Sequence, residues 1–302
     1  MKRVDIKISF LCNNFCLFCV QGEKRLLYGE RDSLEIKRNL EEAKKDCDDV
    51  VFTGGEPTAK RDIIELVSFA KSIGYRNIQI QTNGRMFCYG KFCDEIIKAG
   101  ANEFSPALHG HTAALHDYLT NSPGSFKQTT MGIKNLKVRK ALVITNSVIT
   151  KPNFRHLEEL AKLLCSLGVN QYQFAFVHAV GRAGKNFENI VPRKSLIEPY
   201  VKKGLDVGIK SGINTMTEAI PYCFMRDYEK YVAERIIPQT KIFDATEIID
   251  DFTITRRSEG KKKGAKCVQC CYYNECEGPW KEYPEFFGWD EFIPIKNRKD
   301  TL

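Results

Sequence analysis

The sequence predicts an α/β fold built on a parallel sheet, and two observations support this prediction. Segments with strand-like patterns alternate with longer segments of helical pattern, which implies crossover helices between parallel strands. Glycines such as Gly74, Gly100 and Gly168 follow helical segments, where a left-handed cap is expected. Six strands, each followed by a helix, fit an incomplete barrel as well as a doubly wound sheet, because periodicity does not distinguish the two.

The elements follow from these patterns in chain order. The first strand covers residues 4–10, where apolar and polar residues alternate. The later strands are predicted over 49–53, 77–82, 103–109, 141–149 and 171–177. The helices are predicted over 34–46, 61–73, 89–99, 126–139, 155–167 and 194–211. The regular repeat stops near residue 215, so we expect two domains, 1–215 and 216–302.

Composition indicates a globular protein and excludes several other classes. With 43% hydrophobic and 28% charged residues, a chain of 302 residues can bury a substantial core. It has no apolar signal region and no run long enough to cross a bilayer, so the twelve cysteines are expected to be reduced in a cytoplasmic protein without membrane contact. The net charge of +8 is spread along the chain, which argues against a nucleic-acid partner. The densest basic run, residues 256–266, predicts a mobile loop.

Three cysteines lie close together just beyond the first predicted strand. Cys12, Cys16 and Cys19 form a C-x3-C-x2-C pattern. Iron–sulfur clusters normally have four thiolate ligands, so a compact set of three suggests a distant fourth ligand or an iron that is open to an exogenous one. A core-packing alternative remains, because these spacings would share one face of a helix.

A second motif ends the next strand. Gly54 and Gly55 are followed by Glu56 and Pro57. Glycine permits positive φ and close approach of a ligand, and the carboxylate and the rigid proline define an edge beside it. In barrels of alternating strands and helices, active sites lie at the C-terminal ends of the strands, where both motifs are expected.

Together, the cysteine pattern, Phe18 before its third cysteine, and the Gly-Gly-Glu-Pro motif resemble the radical S-adenosylmethionine (SAM) enzymes. The resemblance covers roughly residues 1–215 and implies a partial (β/α)6 barrel. It also implies that the three cysteines hold a [4Fe-4S] cluster whose fourth iron binds the amino and carboxylate groups of SAM. Reductive cleavage would then give a 5′-deoxyadenosyl radical that abstracts a hydrogen atom from the substrate.

The resemblance also implies which residues contact SAM. The backbone of Gly54, Gly55 and Glu56 would receive the methionine ammonium, and the backbone near Phe18 would meet the adenine. Further candidates lie at the ends of later strands. They are Asn83, His109 and His111 near the sulfonium and carboxylate, and Asn146 and Ser147 near the ribose. For the two histidines, a structural role with ordinary hydrogen bonds is an equal alternative.

A second group of cysteines lies near the C-terminus. Cys267, Cys270 and Cys276 form a C-x2-C-x5-C pattern, with Cys271 as an extra thiol and Cys223 as a plausible fourth ligand. Four cysteines also bind structural zinc, which stays an alternative. The pattern resembles the auxiliary-cluster extensions called SPASM or twitch domains, and only five cysteines lie beyond residue 220, so the shorter twitch form fits better. The resemblance implies one auxiliary [4Fe-4S] cluster held by the four, with Cys271 spare or an alternative ligand.

The run His178–Gly184 follows the sixth predicted strand and resembles the Gly-Arg-Ala turn of SPASM and twitch enzymes. Its Arg182 could contact an anionic part of the substrate or cofactor, and an ordinary loop arginine is an equal alternative.

The functional hypothesis is a radical SAM enzyme that abstracts hydrogen from a peptide, as in peptide maturation, or from a small molecule. A radical SAM enzyme of cofactor or nucleotide biosynthesis is the alternative. From a different class, a non-catalytic iron–sulfur or zinc protein for electron transfer or scaffolding is also considered. The expected partners are SAM, the substrate and an external electron donor such as flavodoxin or ferredoxin. We expect no leader-binding domain, because the chain begins at its first strand, and this weakens the peptide hypothesis.

Overall fold

The computed structural model describes residues 2–298 and confirms the α/β prediction. The described residues contain nine strands. They are β1 (Lys2–Ser9), β2 (Asp49–Gly54), β3 (Asn77–Thr82), β4 (Glu103–Pro106), β5 (Leu142–Ile149), β6 (Gln171–Phe176), β7 (Asn214–Glu218), β8 (Gln239–Phe243) and β9 (Ile248–Ile249). The first six match the predicted strands, whereas β7, β8 and β9 were not predicted.

The same residues contain twelve α-helices, and six of them match the predicted helices. They are α1 (Lys24–Leu27), α2 (Ser33–Lys44), α3 (Ile63–Ser72), α4 (Gly90–Ala99), α5 (Ala113–Thr120), α6 (Ser125–Val138), α7 (Leu157–Ser166), α8 (Gly181–Lys185), α9 (Phe187–Ile190), α10 (Lys194–Lys210), α11 (Phe252–Thr255) and α12 (Glu282–Phe287). Within residues 2–298, none of the helices combines the length and the apolar character needed to span a bilayer.

The order of strands in the sheet decides between the two predicted topologies. The order is β7-β6-β5-β4-β3-β2-β1-β8-β9, so the first seven strands are neighbours in chain order. They pair in parallel throughout. A doubly wound sheet reverses its strand order at a switch point, whereas a barrel does not. The sheet therefore has the order of a partial barrel, and the doubly wound alternative is wrong.

The C-terminal part of the chain extends both ends of this sheet. The boundary expected at residues 215 and 216 falls within β7, which pairs with β6. Strand β8 pairs in parallel with β1, and β9 pairs antiparallel with β8. The predicted domains 1–215 and 216–302 thus contribute strands to the same sheet.

The two faces of the sheet differ in polarity. Along β1, Val4, Ile6 and Ile8 are fully buried. The alternate residues face the other side, because side chains in a strand alternate between the two faces. On that side, Thr53 donates a hydrogen bond to Asp5, Gln79 to Glu103, and Gln173 to Glu218. The face opposite the apolar core, called the inner face below, is lined by polar side chains.

Residues 256–266 do not form the predicted mobile loop. Residues Arg256–Gly260 form a π-helix, and the side chain of Lys261 is completely buried. Lys261 Nζ lies 2.7 Å from Glu234 and 3.0 Å from Glu277, and Arg256 binds Glu277 through two nitrogens at 2.7 and 2.8 Å. Two buried cations thus face two buried carboxylates, and this pairing orders the segment.

Removing one charge from this buried network should destabilise the fold. In Lys261→Met the side chain stays unbranched and is one atom shorter, but Glu234 loses its only described ion-pair partner within residues 2–298. Breaking a buried pair on one side costs about 3–5 kcal/mol of unfolding free energy. The adjacent Lys262→Met is the control, because Lys262 makes an exposed pair with Glu285 at 3.3 Å, and such pairs contribute about 0–1 kcal/mol. Chemical denaturation of both variants checks this, and equal midpoints would contradict it.

Candidate functional site

The three N-terminal cysteines lie on a loop at the C-terminal end of β1. Cys12, Cys16 and Cys19 are free and half-buried, and no helix contains them. Two backbone N–H groups of the loop, those of Phe15 and Leu17, donate to the end of α5, each at 2.9 Å. The alternative that these cysteines share a helix face in the core is therefore wrong. The residues from Cys12 to Cys19 are called the cysteine loop below.

The glycine motif lies directly against the start of this loop. The N–H of Gly55 donates to the Ser9 carbonyl at 2.6 Å, and the N–H of Glu56 donates to the Leu11 carbonyl at 2.8 Å. A Cβ at Gly55 would lie 2.2 Å from the Leu11 oxygen, far inside contact distance. At Gly54, φ is +124° and a Cβ would lie 2.1 Å from the Ser9 oxygen. Only glycine permits this approach of two backbones.

The Glu56 side chain acts on the neighbouring strand and is completely buried. Its Oε1 accepts hydrogen bonds from the Thr58 N–H at 3.0 Å and from the Thr58 and Thr82 hydroxyls, each at 2.6 Å. Its Oε2 accepts from the Asn83 N–H at 2.6 Å. Burial raises the pKa of Glu56, while these hydrogen bonds act to lower it. The carboxylate therefore fixes the end of β3 against the glycine motif.

Asn83 lies beside the first cysteine. Its side-chain nitrogen lies 4.0 Å from Cys12 Sγ, and the Asn14 N–H points to the same sulfur at 3.4 Å. Burial, followed by the charge of Glu56, raises the pKa of Cys12 to about 11. Iron binding requires the thiolate and releases the proton, so the thiol form of the apo protein is compatible with a cluster ligand. Asn83 is thus brought to the cysteine loop.

Phe18 and His109 are also brought together. Their rings are 4.7 Å apart in an edge-on arrangement. The Val148 N–H donates to His109 Nδ1 at 3.2 Å, so Nε2 carries the proton in the neutral ring. Burial and the neighbouring His116 hold the pKa of His109 well below its usual range. The ring is neutral, and one of its nitrogens is used structurally. His111 packs against the ring of His156 instead, at 4.9 Å.

The two predicted ribose residues lie on opposite faces of β5. The Ser147 hydroxyl donates to the Leu108 carbonyl at 2.6 Å, and Ser147 is completely buried. Asn146 faces the inner side of the sheet, and its buried Oδ1 has no hydrogen-bond partner within residues 2–298. Such an acceptor is costly unless something donates to it. Asn146 therefore fits a ligand that carries hydroxyl or amide donors, whereas the Ser147 hydroxyl does not face that ligand.

The predicted C-terminal ligand set converges on one cavity. Its lining includes Cys223, Cys267, Cys270 and Cys276, and it does not include Cys271. Burial, and then the charges of the other three cysteines, raise the pKa of Cys223. The Cys271 backbone is held by Ile295 and Arg298, at 2.8 and 3.1 Å. The structure thus separates the four predicted cysteines from the spare one.

The spacing of these thiols bears on the kind of metal site. Within residues 2–298, no three His, Cys, Asp or Glu side chains are arranged to bind one metal ion. Tetrahedral zinc needs four ligands on a single ion, whereas a [4Fe-4S] cluster binds each thiolate at a different iron. The four thiols that share the cavity suit either kind of site by residue type, and zinc stays the alternative to a cluster there.

Sequence analysis missed two arginines at the cysteine loop. Arg25 and Arg85 donate to loop carbonyls, and neither belongs to a motif that could have indicated this. Arg182, for which contact with an anionic group and an ordinary loop role were equal alternatives, donates to the Phe15 carbonyl at 2.7 Å.

A methyl group at Gly55 should displace the cysteine loop from the glycine edge. We expect Gly55→Ala to weaken SAM binding by about tenfold or more, which is about 1.4 kcal/mol, because the Cβ would lie 2.2 Å from the Leu11 oxygen and one of the two backbones must move. Gly90→Ala is the matched control, since a Cβ there meets only the flexible end of Arg139, at 3.0 Å. Equilibrium binding of SAM to the anaerobically reconstituted variants measures the difference, and equal affinities would contradict the prediction.

Two curated relatives are each 28% identical to this chain. A probable GTP 3′,8-cyclase of Saccharolobus islandicus matches over 67% of this chain and 65% of its own length, and an AdoMet-dependent heme synthase of Oleidesulfovibrio alaskensis matches over 61% and 47%. The chain thus spans less than two thirds of the length of these relatives.

Among solved structures, Streptococcus suis SuiB bound to S-adenosylmethionine matches with a TM-score of 0.69 at 16% identity, over 97% of this chain and 76% of that one. SuiB bound to its precursor peptide SuiA matches with a TM-score of 0.64 at 15% identity, over 90% and 72%. These likenesses show a shared fold. The model of the Radical SAM superfamily matches residues 6–171, more than half of the chain, and the protein therefore belongs to the radical SAM superfamily of enzymes.

Proposed function

We propose that Cys12, Cys16 and Cys19 hold the [4Fe-4S] cluster that the family implies, and that the protein there cleaves SAM reductively to a 5′-deoxyadenosyl radical. The observation that carries this proposal is the pair of hydrogen bonds that fix the Gly55 and Glu56 amides to the start of the cysteine loop. They hold a backbone edge beside three thiols that leave one iron of a cubane without a protein ligand. When bound, the cluster and SAM supply the electron transfer and the radical chemistry.

The roles of the chain are binding, orientation and exclusion of water. The backbone of Gly54, Gly55 and Glu56 would accept the methionine ammonium, and the backbone near Phe18 would meet the adenine. Asn83 and His109 border the same space, and Asn146 supplies an acceptor that has no partner in the described part of the chain. Buried groups with a single arrangement are suited to orienting a ligand before it reacts.

The substrate we propose is a peptide or a small molecule with polar groups, bound at the inner face of the sheet. Gln173 and Glu218 line that face on β6 and β7, and burial raises the pKa of Glu218. A peptide is supported by the fold shared with SuiB, which has been solved with its precursor peptide. Cofactor or nucleotide biosynthesis is the second candidate, because the sequence relatives are a probable GTP cyclase and a heme synthase.

We further propose that Cys223, Cys267, Cys270 and Cys276 hold an auxiliary [4Fe-4S] cluster in a twitch-like extension. The shared cavity of these four thiols supports this proposal. A fully ligated cluster there would shape the substrate site or accept an electron from it. A non-catalytic electron carrier is less consistent with the site, since such a protein does not need an open iron beside a glycine edge.

The remaining partners belong to the same proposal. Reductive cleavage needs a low-potential one-electron donor, such as flavodoxin or ferredoxin. We propose a cytoplasmic location, where reducing conditions keep cysteines as thiols.

Removal of one loop cysteine should abolish SAM cleavage. After anaerobic reconstitution with iron and sulfide, the wild-type protein with dithionite and SAM should release 5′-deoxyadenosine, and Cys16→Ala should release none. Cys165→Ala, which removes a half-buried thiol outside both cysteine groups, is the control and should keep full activity. Chromatographic analysis of the products measures this. A wild-type protein that carries its clusters and forms no 5′-deoxyadenosine would refute the proposal.

Two neighbouring cysteines distinguish the auxiliary ligand set. The reconstituted protein should bind about eight iron atoms, four for each cluster. Cys270→Ala should bind markedly less, because its thiol lines the cavity, whereas Cys271→Ala should match the wild type. Iron, sulfide and zinc analysis measures the outcome. Zinc in place of iron, or equal iron loss in both variants, would refute this assignment.

A further inference from the structure

Three arginine side chains hold the backbone of the cysteine loop between its first two thiols. Arg25 donates to the Cys12 carbonyl at 2.7 Å and to the Asn14 carbonyl at 2.9 Å. Arg182 donates to the Phe15 carbonyl at 2.7 Å. The Asn13 carbonyl, which lies between those of Cys12 and Asn14, accepts a hydrogen bond from Arg85. Four consecutive carbonyl oxygens therefore point to guanidinium groups.

The three arginines come from separate parts of the sheet. Arg25 lies on α1 after β1, Arg85 follows β3, and Arg182 lies on α8 after β6. Arg25 also covers the Phe15 ring, with its guanidinium carbon 3.8 Å from the ring centre. Tertiary structure, and not one local motif, assembles this positive charge around the loop.

No carboxylate in residues 2–298 forms an ion pair with any of the three. Their other side-chain partners are neutral, namely the side-chain oxygens of Asn14 and Gln128 for Arg85, at 2.8 and 2.6 Å. Elsewhere in the fold, the half-buried Arg139 forms an ion pair with Asp94, and the buried Arg256 forms one with Glu277. Three like charges that converge without a counter-ion repel each other, so their placement favours an anionic group at this loop.

We propose that Arg25, Arg85 and Arg182 act as positioning residues that raise the reduction potential of the cluster at Cys12, Cys16 and Cys19. This inference rests on the proposed function. A [4Fe-4S] core of charge 2+ with three thiolates has a net charge of −1, and one electron from a low-potential donor changes it to −2, with no bond or proton exchanged. Nearby positive charge stabilises the more negative state, and net charge is one determinant of cluster potential.

At each arginine, a Gln variant removes the positive charge and a Lys variant keeps it. Comparing the two separates an effect of charge from an effect of the loop's conformation. The midpoint potential of reconstituted protein is followed by electron paramagnetic resonance, using the signal that changes when SAM is added. Each Arg→Gln variant should shift the equilibrium towards the oxidised cluster by about tenfold, which is about 59 mV for one electron. Each Arg→Lys variant keeps the charge and should stay near the wild type. Arg139→Gln is the control, because Arg139 also binds carbonyls but lies away from the loop.

Several results would overturn the inference. The inference fails if the midpoint potentials of the Gln variants match that of the Arg139→Gln control. It also fails if the potentials of the Lys variants fall as far as those of the Gln variants, which would assign the effect to loop shape. Arg182→Gln removes only one side-chain hydrogen bond, so it decides the test if the other Gln variants lose the cluster. Loss of iron from all three Gln variants also overturns the inference, because the arginines would then be needed for the cluster to assemble or to stay bound. Iron analysis of the reconstituted wild-type protein tests the proposed function separately. If the proposed function is wrong, the wild-type protein itself lacks the cluster.

Discussion

The site depends on the contact between the end of β2 and the start of the cysteine loop. The amides of Gly55 and Glu56 donate to the carbonyls of Ser9 and Leu11, and only residues without a Cβ fit at the two glycine positions. This contact fixes the distance between the glycine edge and the three thiols. The Glu56 carboxylate extends the same constraint to β3, because it holds Asn83 beside Cys12. The geometry at one pair of strand ends thus determines where a ligand can lie.

The C-terminal segment is part of the same structure. It adds β7 and β8 to the sheet, and its four-cysteine cavity follows β7 closely in sequence through Cys223. The buried pairs of Lys261 with Glu234 and Glu277 hold this segment in place. Hydrogen bonds from Arg256 and the charge of Lys261 outweigh burial and lower the pKa of Glu277 to about 2. Since that value lies below 4.5, the stability from this carboxylate is complete above pH 4.5 and is lost as the pH falls towards 2.

Much of this arrangement could be predicted from sequence, because hydrophobic periodicity and metal-ligand spacing are local. The first six strands and the two cysteine groups have such patterns. Short strands such as β7 and β8 do not, and their pairing with β6 and β1 depends on distant partners. The opposite faces of Asn146 and Ser147 follow from strand alternation once the strand is known. The basic run at 256–266 is ordered by two buried carboxylates, Glu234 and Glu277, that lie outside it in the sequence. The run alone therefore indicates a mobile loop.

We propose that an iron without a protein ligand binds the amino acid end of SAM at the glycine edge. Electron–nuclear double resonance of the reduced, reconstituted protein tests it most directly, with SAM labelled by nitrogen-15 in its amino group or carbon-13 in its carboxylate. Both labels should show hyperfine coupling to the cluster. Absence of coupling from both labels, in protein that carries the reduced cluster and saturating SAM, would contradict it.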